Sequence, residues 1–305
     1  CLKIYQELIG FNLKNNNEDV LIYNDFKRFG FVNSILEKDE QYQSAMENLK
    51  AQHENNPLSA EITSLIARSL INQYESNSSD STYFDNFKKA KAMCEAAIAK
   101  FPKSKGAKNC QSLIKRIEEP QIDISLNSVQ LPNEAIPAVL EYRNVTTPYY
   151  RIVKVSEKEL KRLRDTRDKE ELLKELNKMP AVAEKDLTLL AETDYREHST
   201  LIALPTLDKG IYYLVASTEK GTKDKDKTLT LTFQVSSLGY ITDQNGDKMT
   251  VTVVGRKTGK TVEGVTVEVW RSEWDYKARE YKTIIIETPK TDRYGIVKLS
   301  KKSDN

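Results

Sequence analysis

The residues whose spacing most directly suggests chemistry are Gly255-Arg-Lys-Thr-Gly259-Lys260-Thr261, a glycine-framed basic stretch of the kind that cradles phosphate. A phosphate cradle needs four residues between its glycines, so that successive backbone N–H groups wrap the anion, and a helix directly after them. Here three residues separate the glycines, and Val262-Glu-Gly-Val-Thr-Val-Glu-Val269 alternates like a strand, so the stretch reads as a β-turn with basic residues. His53 and His198 are the two histidines, with no Cys or second His at ligand spacing, and they read as surface or interface residues. Adjacent carboxylates such as Glu170-Glu171 are what a chain with 30% charged residues puts on any solvated helix, and no Gly-x-Ser-x-Gly elbow occurs. No catalytic, cofactor-binding or metal-binding residue is expected, and the chain is not expected to be an enzyme.

Two cysteines say more. Cys94 and Cys110 each lie eight positions from Pro102, in apolar helical patterns. Positions symmetric about a helical hairpin come level, so the sulfurs meet if both face inward. Two states follow: a structural Cys94–Cys110 disulfide, which implies an oxidising compartment, or two reduced core thiols. Asn77 and Asn144 head Asn-x-Ser/Thr triplets that matter only in a eukaryotic secretory pathway. Asp80-Ser-Thr82 resembles the O-glycosylation tripeptide of Bacteroidetes-type bacteria.

The elements that position these residues change character along the chain. Up to about residue 119 apolar residues recur at three and four: Tyr42, Ala45, Met46, Leu49; Ile62, Leu65, Ile66, Leu70; Phe87, Ala90, Cys94, Ala97; Cys110, Leu113, Ile114, Ile117. Pro57 and Pro102 sit in the turns between these helices. A shift of 45 residues lays Tyr42 on Phe87, Ala45 on Ala90, Leu49 on Cys94 and Pro57 on Pro102. This resembles a degenerate tetratricopeptide-type repeat of about 34 residues with an insertion, for which the polar run Asn77–Thr82 is the natural place.

From Pro120 the period becomes two. Ile122, Ile124, Leu126, then Ala138, Leu140, Tyr142, then Tyr150 to Val155 read as strands. A helix over about 156–179 interrupts them, opened by the capping-box spacing Ser156…Glu159 and closed at Met179-Pro180. Strands resume at 200–204, 210–216 and 229–235, giving an antiparallel β-sandwich over 120–237. A second β-domain starts near Leu238, with a hairpin at Asn245-Gly246 and strands at 249–254, 262–270, 283–286 and 295–299, too few to close a sandwich. The expected domains are therefore 1–119, 120–237 and a truncated 238–305. Cys1 opens directly into a helical pattern rather than a polar tether, so the start reads as a cut or processing edge rather than a lipidated terminus.

Composition narrows the function classes. Lys+Arg 47 against Asp+Glu 45 leaves a formal charge of +2, which gives no basis for a nucleic-acid partner. No apolar run approaches the roughly 20 residues that span a bilayer.

The order of parts carries a resemblance. Helical repeats ending Cys94-Glu-Ala-Ala-Ile…Cys110 lead into a β-domain with Tyr142-Arg-Asn-Val145, Leu204-Pro205 and Gly210-Ile-Tyr-Tyr213. Thr258-Gly259-Lys-Thr-Val-Glu-Gly264-Val and Thr291-Asp292-Arg-Tyr-Gly295 follow. Nearly the whole chain resembles the N-terminal part of Bacteroidetes-type bacterial alpha-2-macroglobulin family proteins. The resemblance implies an α + β multidomain chain, with tetratricopeptide-like helical repeats followed by macroglobulin-like, immunoglobulin- or fibronectin-like antiparallel β-sandwich domains. It implies a structural and interaction region of a broad-spectrum protease trap in the periplasm or at the cell surface. Proteases would be partners of the full-length protein only, because no Cys has a Gln three residues later to form the family's Cys-Xaa-Glu-Gln thioester. A second reading stays open: a cell-surface adhesin or assembly scaffold whose helical repeats bind a peptide while β-domains act as spacers.

Overall fold

The computed structural model describes residues 2–221, 224–246, 248–276 and 279–300. Cys1 lies outside the described residues. Eight α-helices and thirteen strands are described. They fall into two compact units, one of residues 1–122, 141–146 and 188–198 and one of residues 123–140, 147–187 and 199–305. None of the described helices is long and apolar enough to cross a membrane.

The first unit is built from α1 (Leu2–Lys14), α2 (Glu18–Leu36), α3 (Asp39–Gln52), α4 (Leu58–Ser76), α5 (Asn86–Lys100) and α6 (Lys105–Glu118). Helix α4 is its centre, packed by α3, α5 and α6, and buries Ile62, Ile66, Ala67, Leu70, Ile71 and Tyr74. Small residues set how closely the helices approach. A Cβ on Gly106 would lie 2.2 Å from the Ala60 carbonyl carbon and the Glu61 nitrogen, so only glycine lets the start of α6 touch the α4 backbone. Ser104 caps α6 by accepting from the Ala107 N–H at 3.0 Å. In helix α1 the apolar Leu2 and Leu8 are exposed, and Asn12 is its one buried residue. The 77–82 run is exposed and ends in a 3₁₀ turn, Ser81–Tyr83, where Asp80 accepts from the Thr82 N–H at 2.9 Å.

Two later segments complete this unit. Asn144, at φ 55°, donates from Nδ2 to the Ile117 carbonyl at 2.7 Å and satisfies the C-terminus of α6. Tyr195, also left-handed at φ 61°, places its hydroxyl to accept from Lys91 Nζ at 2.7 Å. Arg196 stacks over the Phe84 ring at 4.0 Å.

The second unit includes most of a three-stranded sheet, β1 (Gln121–Ser125), β3 (Ile136–Arg143) and β6 (His198–Leu204), in the order β1-β3-β6. It also holds a five-stranded sheet in the order β2-β8-β7-β4-β5, from β2 (Val129–Gln130), β4 (Tyr149–Val155), β5 (Ala181–Asp186), β7 (Gly210–Ser217) and β8 (Thr228–Val235). One expectation is corrected here: β2 pairs parallel with β8, so the strands are not all antiparallel. The expected single helix over 156–179 is two, α7 (Glu157–Asp165) and α8 (Lys169–Lys178). Thr166 leaves the helical conformation and the Asp168 carboxylate caps a new start by accepting from the Glu171 N–H at 3.0 Å. Leu163, Leu173 and Leu176 of these helices pack on Val153, Val155, Tyr213 and Val215. Period two puts Ile152, Tyr212, Leu214 and Ala216 on the opposite face, also buried.

Beyond Leu238, β9 (Leu238–Asn245), β10 (Lys248–Gly255) and β13 (Ile296–Ser300) form a sheet in the order β13-β10-β9. The strand expected over 262–270 is present only from Val269, as β11 (Val269–Asp275), paired with β12 (Glu280–Glu287). Residues 262–267 instead lie against the Thr291 turn. Thr291 Oγ1 donates to the Val262 carbonyl at 2.8 Å and accepts from the Val265 N–H at 2.9 Å. The Val267 N–H reaches the Pro289 carbonyl at 2.8 Å, and proline, lacking an N–H, returns nothing and breaks the ladder. Gly295, at φ 74°, closes the turn where a Cβ would lie 2.9 Å from the Val253 oxygen.

Candidate functional site

The structure places the residues singled out in sequence as follows. The Gly255–Thr261 stretch is a turn closed by Gly259 N–H to Gly255 carbonyl at 2.8 Å, with no helix after it. His53 bonds Glu18 at 3.0 Å, and Asn77 donates to the Gln73 carbonyl at 3.0 Å. Asn144, with its amide engaged on α6, is not free for modification in the folded unit.

Cys94 and Cys110 are both fully buried, and the Cys110 thiol donates to the Ala60 carbonyl at 4.0 Å. The neighbouring Cys110 thiol, then burial, pushes the Cys94 thiol far above its ordinary value, and a thiol kept from ionising is slow in disulfide exchange.

Sequence spacing did not reveal the trio Glu192, Asp194 and His198, whose ligand-capable atoms lie within 4.8 Å of one another. Asp194 is already engaged. It accepts from His198 Nε2 at 2.9 Å, from the Arg196 N–H at 3.1 Å and from Arg196 Nε at 2.7 Å. Burial raises its pKa, but these three bonds outweigh it and hold the carboxyl at about 2. These bonds join residues 194, 196 and 198 to one another and fix the local conformation of that stretch.

A groove of about 490 Å³ in the helical unit is bounded by α3, α4, the 81–83 turn and α5. A row of carboxamides runs along it. Asn86 Nδ2 donates to Gln73 Oε1 at 3.2 Å, Gln73 Nε2 to Gln43 Oε1 at 3.3 Å, and Gln43 Nε2 to Glu47 Oε1 at 3.1 Å. The direction of the row is fixed at both ends, since the Glu47 carboxylate can only accept and the Leu70 carbonyl accepts the other Asn86 N–H at 3.1 Å. Of these residues only the Gln43…Glu47 pair, four apart on one helix, leaves a signal in sequence.

No family model matches the chain, and no curated protein does. Among solved structures it is similar to native alpha-2-macroglobulin of Escherichia coli spanning domains NIE-MG1. That match has a TM-score of 0.41 and 16% identity over 60% of this chain and 88% of that one. A longer piece of the same protein, MG0-NIE-MG1, gives 0.43 and 15% over 60% and 58%. The native conformation of the E. coli protein gives 0.36 and 15%, covering 60% of this chain and 12% of that one. At these identities and scores the likeness carries no argument about activity.

Proposed function

We propose that the chain is the non-catalytic N-terminal structural and interaction region of an alpha-2-macroglobulin-like, broad-spectrum protease trap of the bacterial cell envelope, of the Bacteroidetes type. The helices are read as tetratricopeptide-like repeats and the first β-domain as macroglobulin-like. The observation that carries this reading is the order of parts together with how the last turn is built. A helical unit is followed in the chain by strands of a three-stranded and a five-stranded sheet, with a helix pair between β4 and β5. A further β unit then has the Thr-Gly…Gly-Val and Thr-Asp-x-x-Gly segments locked to each other through Thr291 Oγ1 and Gly295. The absence of catalysis is part of the proposal. The polar cluster Asp194–Arg196–His198 is hydrogen-bonded within itself. In such a protein the protease would be met by segments other than this one, and these domains would act as frame and docking surface.

The test is a peptide map of the native full-length protein from its source, with and without methylamine. A long chain holding a Cys-Xaa-Glu-Gln peptide that gains the mass of methylamine supports a covalent trap. A long chain of further macroglobulin domains without that peptide supports a non-covalent one. A chain without further macroglobulin domains overturns the reading in favour of the adhesin or scaffold.

A further inference from the structure

Among the described residues β11 and β12 form a two-stranded ribbon with no third strand, and its two faces differ. Residues directly opposite each other in an antiparallel pair share a face, so the register Trp270↔Ile285, Ser272↔Thr283 and Trp274↔Tyr281 sets these six side chains together. Arg271, Glu273, Asp275 and Lys282 lie on the other face, where Arg271 pairs with Glu273 and Lys282 with Asp275. That face suits water. The aromatic face does not: Trp270 is 50% exposed and Trp274 42%, and Tyr281 and Ile285 are exposed beside them. Exposed apolar surface gathered on one side of a ribbon marks a place where something binds.

The polar groups around this face say what covers it. Ser272 and Thr283, between the aromatic positions, make no side-chain hydrogen bond among the described residues. Trp270 and Thr283 also form one wall of a cavity of about 280 Å³, whose other wall is α7 of the same unit. On that wall the exposed side chains of Glu157, Lys161, Arg164 and Asp165 make no hydrogen bond or ion pair among the described residues. Two cations and two carboxylates cancel, so the cavity selects neither an anion nor a cation. A lipid or an apolar protein surface laid here would strip water from four charges and two hydroxyls and return no hydrogen bonds. A pyranose ring meets both demands, since its C–H face lies flat on an indole while its hydroxyls donate to carboxylates and accept from cations. Trp270 and Trp274, four residues apart on one strand, stand about 13 Å apart, a span that calls for several linked rings rather than one.

We infer that this face of the ribbon, with the α7 cavity beside it, binds a neutral oligosaccharide. One ring stacks on Trp270, with its hydroxyls on Thr283, Lys161 and Arg164, and a later ring stacks at Trp274, where the Tyr281 ring meets the indole edge-on at 5.0 Å. Such a site is compatible with either reading of the whole chain and does not depend on the protease trap.

Trp270 and Trp274 are the two tryptophans of the chain, so emission excited beyond tyrosine absorption reports on this face alone. The probes are oligosaccharides cut from cellulose, xylan, mannan, chitin and starch, with oligogalacturonate as the acidic counterpart, each titrated to millimolar concentration. A saturable change in emission with at least one neutral oligosaccharide is expected. Its affinity is then measured by calorimetry, which needs no indole signal, for the unaltered chain and three variants. Trp270→Ala should weaken binding roughly tenfold or more, Trp270→Phe, which keeps a ring, should hold it within about threefold, and Glu273→Gln on the opposite face should leave it unchanged. Circular dichroism melts matching that of the unaltered chain verify that each variant is folded. The inference is overturned if no neutral oligosaccharide changes the emission, if Trp270→Ala binds as the unaltered chain does, or if oligogalacturonate binds more tightly than every neutral probe. It is also overturned if the emission shifts with protein concentration alone, which would put a second copy of the chain on this face.

Discussion

Asp194→Asn is the substitution whose cost can be worked out from the structure. The Asp194 side chain is 16% exposed and accepts from His198, from the Arg196 N–H and from Arg196 Nε. Asparagine keeps the size and one accepting oxygen, but turns its NH₂ toward a group that also donates. Holding the carboxyl at about 2 rather than its ordinary 3.8 corresponds to about 2 kcal/mol of stability at pH 7. The sign follows from the depressed folded pKa. The contribution is full above the unfolded value near 4 and is lost as pH falls through about 2, so roughly a third of it should remain at pH 2.5. The assay is urea unfolding followed by helical ellipticity, unaltered chain against variant, at pH 7 and pH 2.5. A difference of about 2 kcal/mol that shrinks at the lower pH is expected. An equal difference at both pH values would refute the electrostatic account and make the loss one of packing. A difference under about 0.5 kcal/mol at pH 7 would show that the Asp194 bonds do not stabilise the folded chain.

Three further outcomes are expected. Gly106→Ala places a Cβ within 2.2 Å of the α4 backbone, so α6 must shift, and a loss of about 1–3 kcal/mol by chemical denaturation is expected, whereas an unchanged midpoint would contradict the close approach. Arg151 donates to the Asn177 and Met179 carbonyls at the end of α8, so Arg151→Ala should cost roughly 1–3 kcal/mol. Hydrogen exchange should then rise in 169–178, and unchanged exchange there would remove the capping role. Cys94 and Cys110 should resist a thiol-reactive disulfide reagent in the native chain, so rapid labelling of either would contradict their burial. In denaturant without reductant, two labels beyond that of Cys1 mean thiols and none means the bond.

What was legible in the sequence follows from where one force dominates. Helices α3 to α6 could be read because apolar spacing and the turns at Pro57 and Pro102 agree. The 156–179 segment was read as one helix because its leucines keep helical phase across the break. The signal for two helices was the apolar-free stretch between Leu163 and Leu172, with Asp168 three residues before Glu171. The apolar spacing of α1 predicted a helix, which is present, but period alone does not supply a neighbour, and Leu2, Leu8 and Phe11 are exposed. Val262–Val267 has strand composition, yet Gly264 at φ 74° and Pro289 opposite divert it, which depends on a partner segment more than twenty residues away. The edge strand β5 was missed because Ala181–Asp186 is weakly apolar and is held by pairing to β4. The groove row was invisible for a different reason: Gln and Asn are common surface residues, and only the packing of three helices aligns Gln43, Gln73 and Asn86.

The central claim is that this chain frames a protease trap, and the most direct measurement is a size-dependent inhibition assay. The full-length protein from its source is incubated with trypsin, and cleavage of azocasein is compared with cleavage of a small chromogenic peptide. A trap shields the enclosed protease from the large substrate while the small one still enters, so loss of azocasein cleavage with peptide cleavage retained is predicted. Equal cleavage of both substrates with and without the protein, or equal loss of both, would contradict the account.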